Sequence, residues 1–202
     1  MTRSPLLVAL LLLAACGTVP PIPGVGPTLT VPVPTVRPVT TSTPAPDPML
    51  EVIPYTGRVT AVHGWPTACV ARQPRVAPDP GCTPGSVTST DEKTVCSPAY
   101  AARPRPYTAA AKTRLMKAYG VPPADRDITE LDHLIERSLG GSDDVSNLWP
   151  QVSDLPNAGW HNSKDTVEQK VWHAVCVEHR KTLAQAQAAM RSWTGAVAVL
   201  GL

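Results

Sequence analysis

The stretch Ile128-Thr-Glu130-Leu-Asp132-His133-Leu-Ile135-Glu-Arg-Ser-Leu-Gly140-Gly141-Ser-Asp-Asp-Val145-Ser-Asn147-Leu148-Trp149-Pro150, continued by Trp160-His161-Asn162-Ser163-Lys164-Asp165, decides the fold. Glu130 to Ile135 is short and apolar on both faces, as a buried strand is. Gly140-Gly141 and the Ser-Asp-Asp after them predict a turn, and Val145 to Trp149 a second strand ended by Pro150, so the two strands form a hairpin. After a loop containing proline and asparagine, a helix is expected to start near Asn162 or Ser163 and run to about Glu178. Val167, Val171 and Val175 make its apolar stripe, with Trp172 and Cys176 adjacent. A last helix, Thr182 to about Trp193, repeats the pattern with Leu183, Ala186, Met190 and Trp193. These two helices are expected to pack as a pair against the ββα unit.

An Asp-His pair on the first strand, an Asn-Leu on the second and a histidine at the helix entry resemble, in that order, the HNH nuclease core, a ββα-metal unit. The resemblance covers about a fifth of the chain. It implies that His133 is the general base, that Asp132 and His161 hold one divalent metal ion (Mg2+, Mn2+ or Zn2+), and that Asn147 orients the loop. Asn162 and Lys164 match the His-Asn-x-Lys run that often opens the helix in this superfamily, which implies that Lys164 binds a phosphate or places a positive charge beside the scissile group. The chemistry suits these residue types, since phosphodiester hydrolysis needs a base to activate water and a cation to stabilise charge on the phosphoryl and departing oxygens. Histidine, with an ordinary pKa of about 6.5, is mostly neutral at physiological pH and can accept that proton. The chain departs from many HNH domains in having no zinc-binding cysteine pairs around the core. The interval after Asn147 is also long, so Asn157, His161 and Asn162 compete for the third position, and His161 is preferred for its place at the helix entry. Consecutive strand residues point to opposite faces, so Asp132 and His133 can share a cleft only at a strand end or a bulge.

The whole chain of 202 residues includes 24 prolines and no phenylalanine, which leaves part of it without the means to pack. A formal charge of +2 is too small to argue for nucleic acid or membrane by itself. The N-terminus carries Arg3, an apolar run from Leu6 to Leu13, and Leu13-Ala-Ala-Cys16. That run is shorter than the roughly 20 residues that span a bilayer but suits a secretory signal. It resembles the bacterial lipobox, which implies a lipid on Cys16 and a membrane anchor. From Thr18 to about Met49, prolines remove amide donors and fix φ, so an extended, disordered tether is expected.

The four remaining cysteines, Cys69, Cys82, Cys96 and Cys176, are expected as two disulfides in an exported chain. The favoured pairing is Cys69 with Cys82 and Cys96 with Cys176, contributing about 3 and about 4 to 5 kcal/mol on the chain-entropy model. Residues 93 to 124 hold Lys93, Arg103, Arg105, Lys112, Arg114 and Lys117 with no intervening carboxylate. A helix is predicted from Thr108, as N-cap, to Gly120 at the C′ position, with Pro122 stopping it. Ala111, Leu115, Met116 and Tyr119 form its buried stripe. Arg103, Arg105, Lys112, Arg114, Lys117 and Lys164 are the candidate phosphate contacts. Trp149, Trp160, Trp172 and Trp193 are expected to fill the core of a chain without phenylalanine rather than to stack on bases, with Trp160, beside His161, placed to do both.

The expectation is therefore an α+β protein: a lipoprotein signal over 1–15, a lipidated cysteine and proline-rich linker over 16–50, and a small HNH-like domain with additional helices over 51–202. Its expected activity is metal-dependent hydrolysis of nucleic acid, DNA first, on the outer side of the membrane, with no protein partner evident. The reading from a different class is a noncatalytic envelope lipoprotein that uses the ββα scaffold for binding or support.

Overall fold

The structure, a computed structural model, describes residues 50–71, 76–106 and 108–202. The expected signal sequence, Cys16 and nearly all of the expected tether lie outside them. The described chain is α+β. It opens with β1 (Glu51–Val52), parallel to β2 (Ser86–Val87), and continues through two single-turn helices, α1 (Glu92–Val95) and α2 (Pro98–Ala101). Their N-caps are supplied by Asp91 and Ser97, whose side chains accept from the amides of Thr94 and Tyr100. Helix α3 (Ala109–Ala118) follows as expected, with Gly120 at φ +66° after its end. Thr108 precedes it but makes no capping hydrogen bond.

The hairpin pairs β3 (Thr129–His133) with β4 (Leu148–Val152), antiparallel, with Leu131 opposite Pro150. The second strand thus begins later than predicted, and Pro150 lies inside it instead of ending it. The register explains this. Ser153 N–H donates to the Ile128 carbonyl and Leu134 N–H to that of Asn147. Alternation then puts Leu131 and Pro150 at a non-hydrogen-bonded pair, so the proline removes no ladder bond.

The 134–147 loop between the strands folds back on itself, and the glycine pair is what permits this. Gly140 has φ +91°, and a Cβ on Gly141 would lie 1.8 Å from the carbonyl oxygen of Ile135. Asn147, fully buried, closes the loop: its Oδ1 accepts from Ile135 N–H at 2.9 Å, and its Nδ2 donates to the carbonyls of Ile135 and Ser142 at 2.9 and 3.1 Å. Asp144 ties the same loop to the N-terminal segment, accepting from the Thr60 hydroxyl and the Val62 amide.

Helices α4 (Lys164–Cys176), α5 (Leu183–Met190) and α6 (Trp193–Leu200) complete the chain. The helix expected from Thr182 to about Trp193 is α5, which ends at Met190; the chain turns at Arg191 and Ser192, and Trp193, expected in its apolar stripe, opens a further helix, α6. A capping box between Thr182 and Gln185 starts α5. Val171, Val175, Leu183, Ala186, Met190, Trp193 and Leu200 pack with Leu134, Ile135 and Leu139 of the loop into the main core. A smaller cluster joins Leu115 to Val145 and Leu148. Both favoured cysteine pairs lie at disulfide distance, Cys69–Cys82 with Cα atoms 6.0 Å apart and Cys96–Cys176 with 5.2 Å. Among the described residues, no helix is long and apolar enough to cross a membrane.

Candidate active site

At the end of β3 the strand gives way to a cleft of about 450 Å³. Glu130, Asp132, His133, Glu136 and Arg137 line it from the strand and the loop after it, Asp165, Glu168, Gln169 and Trp172 from α4, and Trp160 and His161 from the loop before α4. Arg105 completes the wall. His133 is the last residue of β3, which is how neighbours of opposite strand parity come to line one cleft. The Asp132 carboxylate also turns back to accept the His133 amide at 2.7 Å.

His133 Nε2 lies 2.9 Å from Asp143 Oδ1, and the Arg137 guanidinium pairs with the same oxygen at 3.3 Å. A carboxylate can only accept, so Nε2 carries the proton and Nδ1 keeps the lone pair. Burial depresses the His133 pKa below its ordinary value, more than Asp143 and Asp132 raise it. The imidazole is therefore neutral near pH 7.

The charges on the α4 side are unbalanced. Lys164 is fully buried, with Nζ 2.8 Å from Asp132 Oδ2, 2.7 Å from the His133 carbonyl oxygen, and against Glu168. Burial opposes its charge, but Asp132 and Glu168 outweigh that and raise its pKa. One ammonium does not satisfy five carboxylates. Burial, then the charges of Asp132, Asp165 and Glu168, push Glu130 up to about 8. Burial and the Glu168 charge raise Glu136, whose Oε1 is buried without a hydrogen-bond partner. Glu168 is raised to about 7 although Lys164 touches it, because burial and Asp132 prevail. Carboxylate oxygens are the kind of donor a hard cation takes, but no three ligand atoms from the described residues of this cleft lie within 4.8 Å of one another, and the repulsion is relieved by retained protons.

The sequence-predicted residues are thus partly gathered and partly dispersed. Asp132, His133 and His161 line one cleft, and Asn147 lies behind it. His161 is exposed, with Nδ1 3.3 Å from Asp165 Oδ2. Asn162, a competitor for its position, is buried and donates to Glu130 Oε2, and Asn157 lies outside the cleft lining. Lys164 is not open to a phosphate, since its ammonium is spent on Asp132, Glu168 and a carbonyl. Of the other predicted phosphate contacts only Arg105 lines this cleft. Lys112 lines an adjoining hollow of about 280 Å³, but its Nζ donates to the Arg126 carbonyl at 2.8 Å. Arg103 lies against the Tyr100 ring and Arg114 over Trp65, and Lys117 lines neither hollow.

Among the described residues, three potential ligand atoms come within 4.8 Å of one another only at Cys69, Asp79 and Cys82, where both sulfurs are committed to a disulfide. A disulfide sulfur is not a thiolate ligand. Sequence reasoning missed Glu130, Glu136, Arg137, Asp143, Asp165 and Glu168. Two of these carried a signal: Glu130 stands two residues before Asp132 on the same strand face, and Glu168 one helical turn after Lys164. Asp143 carried none. Compared with protein-family models, with curated proteins and with solved structures, the chain finds no significant match in any of the three.

Proposed function

We propose that this chain is an HNH-like nuclease, hydrolysing phosphodiester bonds of nucleic acid, DNA first, with the help of a divalent metal ion. The observation that carries the reading is the neutral His133 at a strand end, proton on Nε2 toward Asp143 and lone pair on Nδ1, in a cleft that holds Arg105, Arg137 and a group of carboxyls that retain their protons. His133 Nδ1 takes a proton from water as its oxygen bonds to phosphorus, and the bond from phosphorus to the leaving oxygen breaks. Arg105 brings positive charge to the phosphoryl oxygens, with Arg137, held by Asp143 and the Pro104 carbonyl, adding to the field beside it. Asn147 fixes the loop from which Glu136, Arg137 and Asp143 project. Asp132 and His161 would hold the metal ion, with Asp165, Glu130 and Glu168 beside them. That ion would supply Lewis-acid stabilisation of charge on the oxygens around phosphorus.

The lipid anchor at Cys16 and placement outside the cytoplasm belong to the same proposal, and two cysteine pairs at disulfide distance support the placement. The noncatalytic reading is favoured by one observation: Lys164 already neutralises Asp132, which a scaffold without metal would need. Nicking of supercoiled plasmid by the purified protein, with and without added Mg2+ or Mn2+, decides between them. Metal-stimulated cleavage lost in His133→Ala supports the nuclease. Absence of cleavage of DNA and RNA under all these conditions leaves the scaffold.

A further inference from the structure

Trp160 is 47% exposed, although a chain this poor in aromatics gains most by burying each one. It is not idle surface. Its ring lies 3.9 Å from that of His161, tilted by 32°, and it lines both the cleft and the adjoining hollow. Arg105, Glu130, His133 and Arg137 are the other residues the two hollows share. The loop that carries Trp160 is held at both ends: the Ser153 hydroxyl donates to the His161 carbonyl at 2.5 Å, and Ser163 N–H donates to Asp154 at 2.8 Å. Asn157 at φ 58° and Gly159 at φ 64° set its tight course. An exposed indole on a braced loop pays little ordering entropy when something lies against it.

We infer that the Trp160 ring, backed by His161, is a stacking platform for an unpaired nucleobase at the rim of the cleft. The inference rests on the nuclease reading and specifies the form of its substrate: a single strand, or a nucleotide turned out of its duplex. Every base offers an aromatic face, but within a duplex both faces are covered by neighbours, so only an unpaired base can use Trp160. The two arginines beside it supply the charge that a polyanionic backbone requires, and the stack beside His133 brings the phosphate of the same nucleotide to the base.

The test is equilibrium binding of the full-length protein to a single-stranded oligodeoxynucleotide and to a duplex of the same length, with chelator present so that nothing is cut. Trp160→Ala should weaken single-strand binding roughly 5- to 150-fold and duplex binding much less, while Trp160→Phe should restore most of the loss. Circular dichroism of each variant guards against misfolding. Unchanged single-strand affinity in Trp160→Ala, or an equal loss on both substrates, overturns the inference. Plasmid nicking is scored separately. Cleavage with no Trp160 effect sinks the platform and leaves the nuclease, whereas Trp160-dependent binding without cleavage sinks the nuclease and leaves the platform.

Discussion

The ammonium of Lys164, with no exposed surface, sits 2.8 Å from Asp132 Oδ2 and so joins the first residue of α4 to the end of β3. The pair connects the helix to the hairpin through charge, beside the apolar contacts of Val171 and Val175 with Leu134 and Ile135. It also explains why the strand end keeps an aspartate that is itself nearly buried. Replacing the lysine by a neutral chain would leave Asp132 and Glu168 buried and unpaired. Lys164→Met should therefore cost roughly 3–5 kcal/mol of stability. Urea unfolding of the disulfide-intact protein measures it, and a loss smaller than about 1 kcal/mol would show the ammonium to be dispensable.

His133→Ala should slow metal-stimulated nucleic-acid cleavage by about 10²- to 10⁴-fold. Asp143→Asn tests how the imidazole is held. Asp143 opposes the fall that burial imposes on the His133 pKa, so removing its charge should move the acidic limb of the pH–rate profile to lower pH while slowing the reaction. A slower enzyme with an unmoved limb would mean that Asp143 acts on packing alone.

Stability should fall as pH rises from about 4.5 to about 8. Glu130 holds its proton to about 8 and Glu168 to about 7 in the folded protein, against 4.5 for an ordinary glutamate. Through that window the unfolded chain has released protons that the folded one keeps, so the slope of unfolding free energy with pH is negative. The contribution is fully present below pH 4.5 and is lost as pH passes the folded values. Thermal unfolding across this range should show the decline, and Glu130→Gln should flatten it. Mg2+ or Mn2+ should raise Tm more near pH 8 than near pH 5, because the cation replaces the retained protons. An equal effect at both would remove the carboxylates from the binding site.

Asn147→Ala should destabilise the protein by roughly 1–3 kcal/mol, since it strands the buried Ile135 amide and removes two further bonds. Cleavage should fall with it, as the loop carrying Arg137 and Asp143 loosens. Denaturant unfolding and plasmid nicking read the two effects. Full stability in this variant would show that Gly140 and Gly141 hold the loop without the amide.

The sequence by itself determined whatever depends on near neighbours. The valine stripe placed α4, short apolar runs on either side of Gly140-Gly141 placed the hairpin, and an even set of cysteines in a chain with a secretory-type N-terminus suggested two pairs. The order Asp132-His133, Asn147, His161 also marked where the cleft would be. Tertiary structure alone decided what surrounds each of these groups. Lys164 meets the His133 carbonyl across 31 positions and becomes buried instead of facing a phosphate. Asp143 reaches His133 because the loop folds back, and Trp160 stays exposed where composition predicted burial. Periodicity reports which face of an element is apolar. Charge balance in a cleft depends on which distant side chains share one desolvated volume, and that is set only when the loops close.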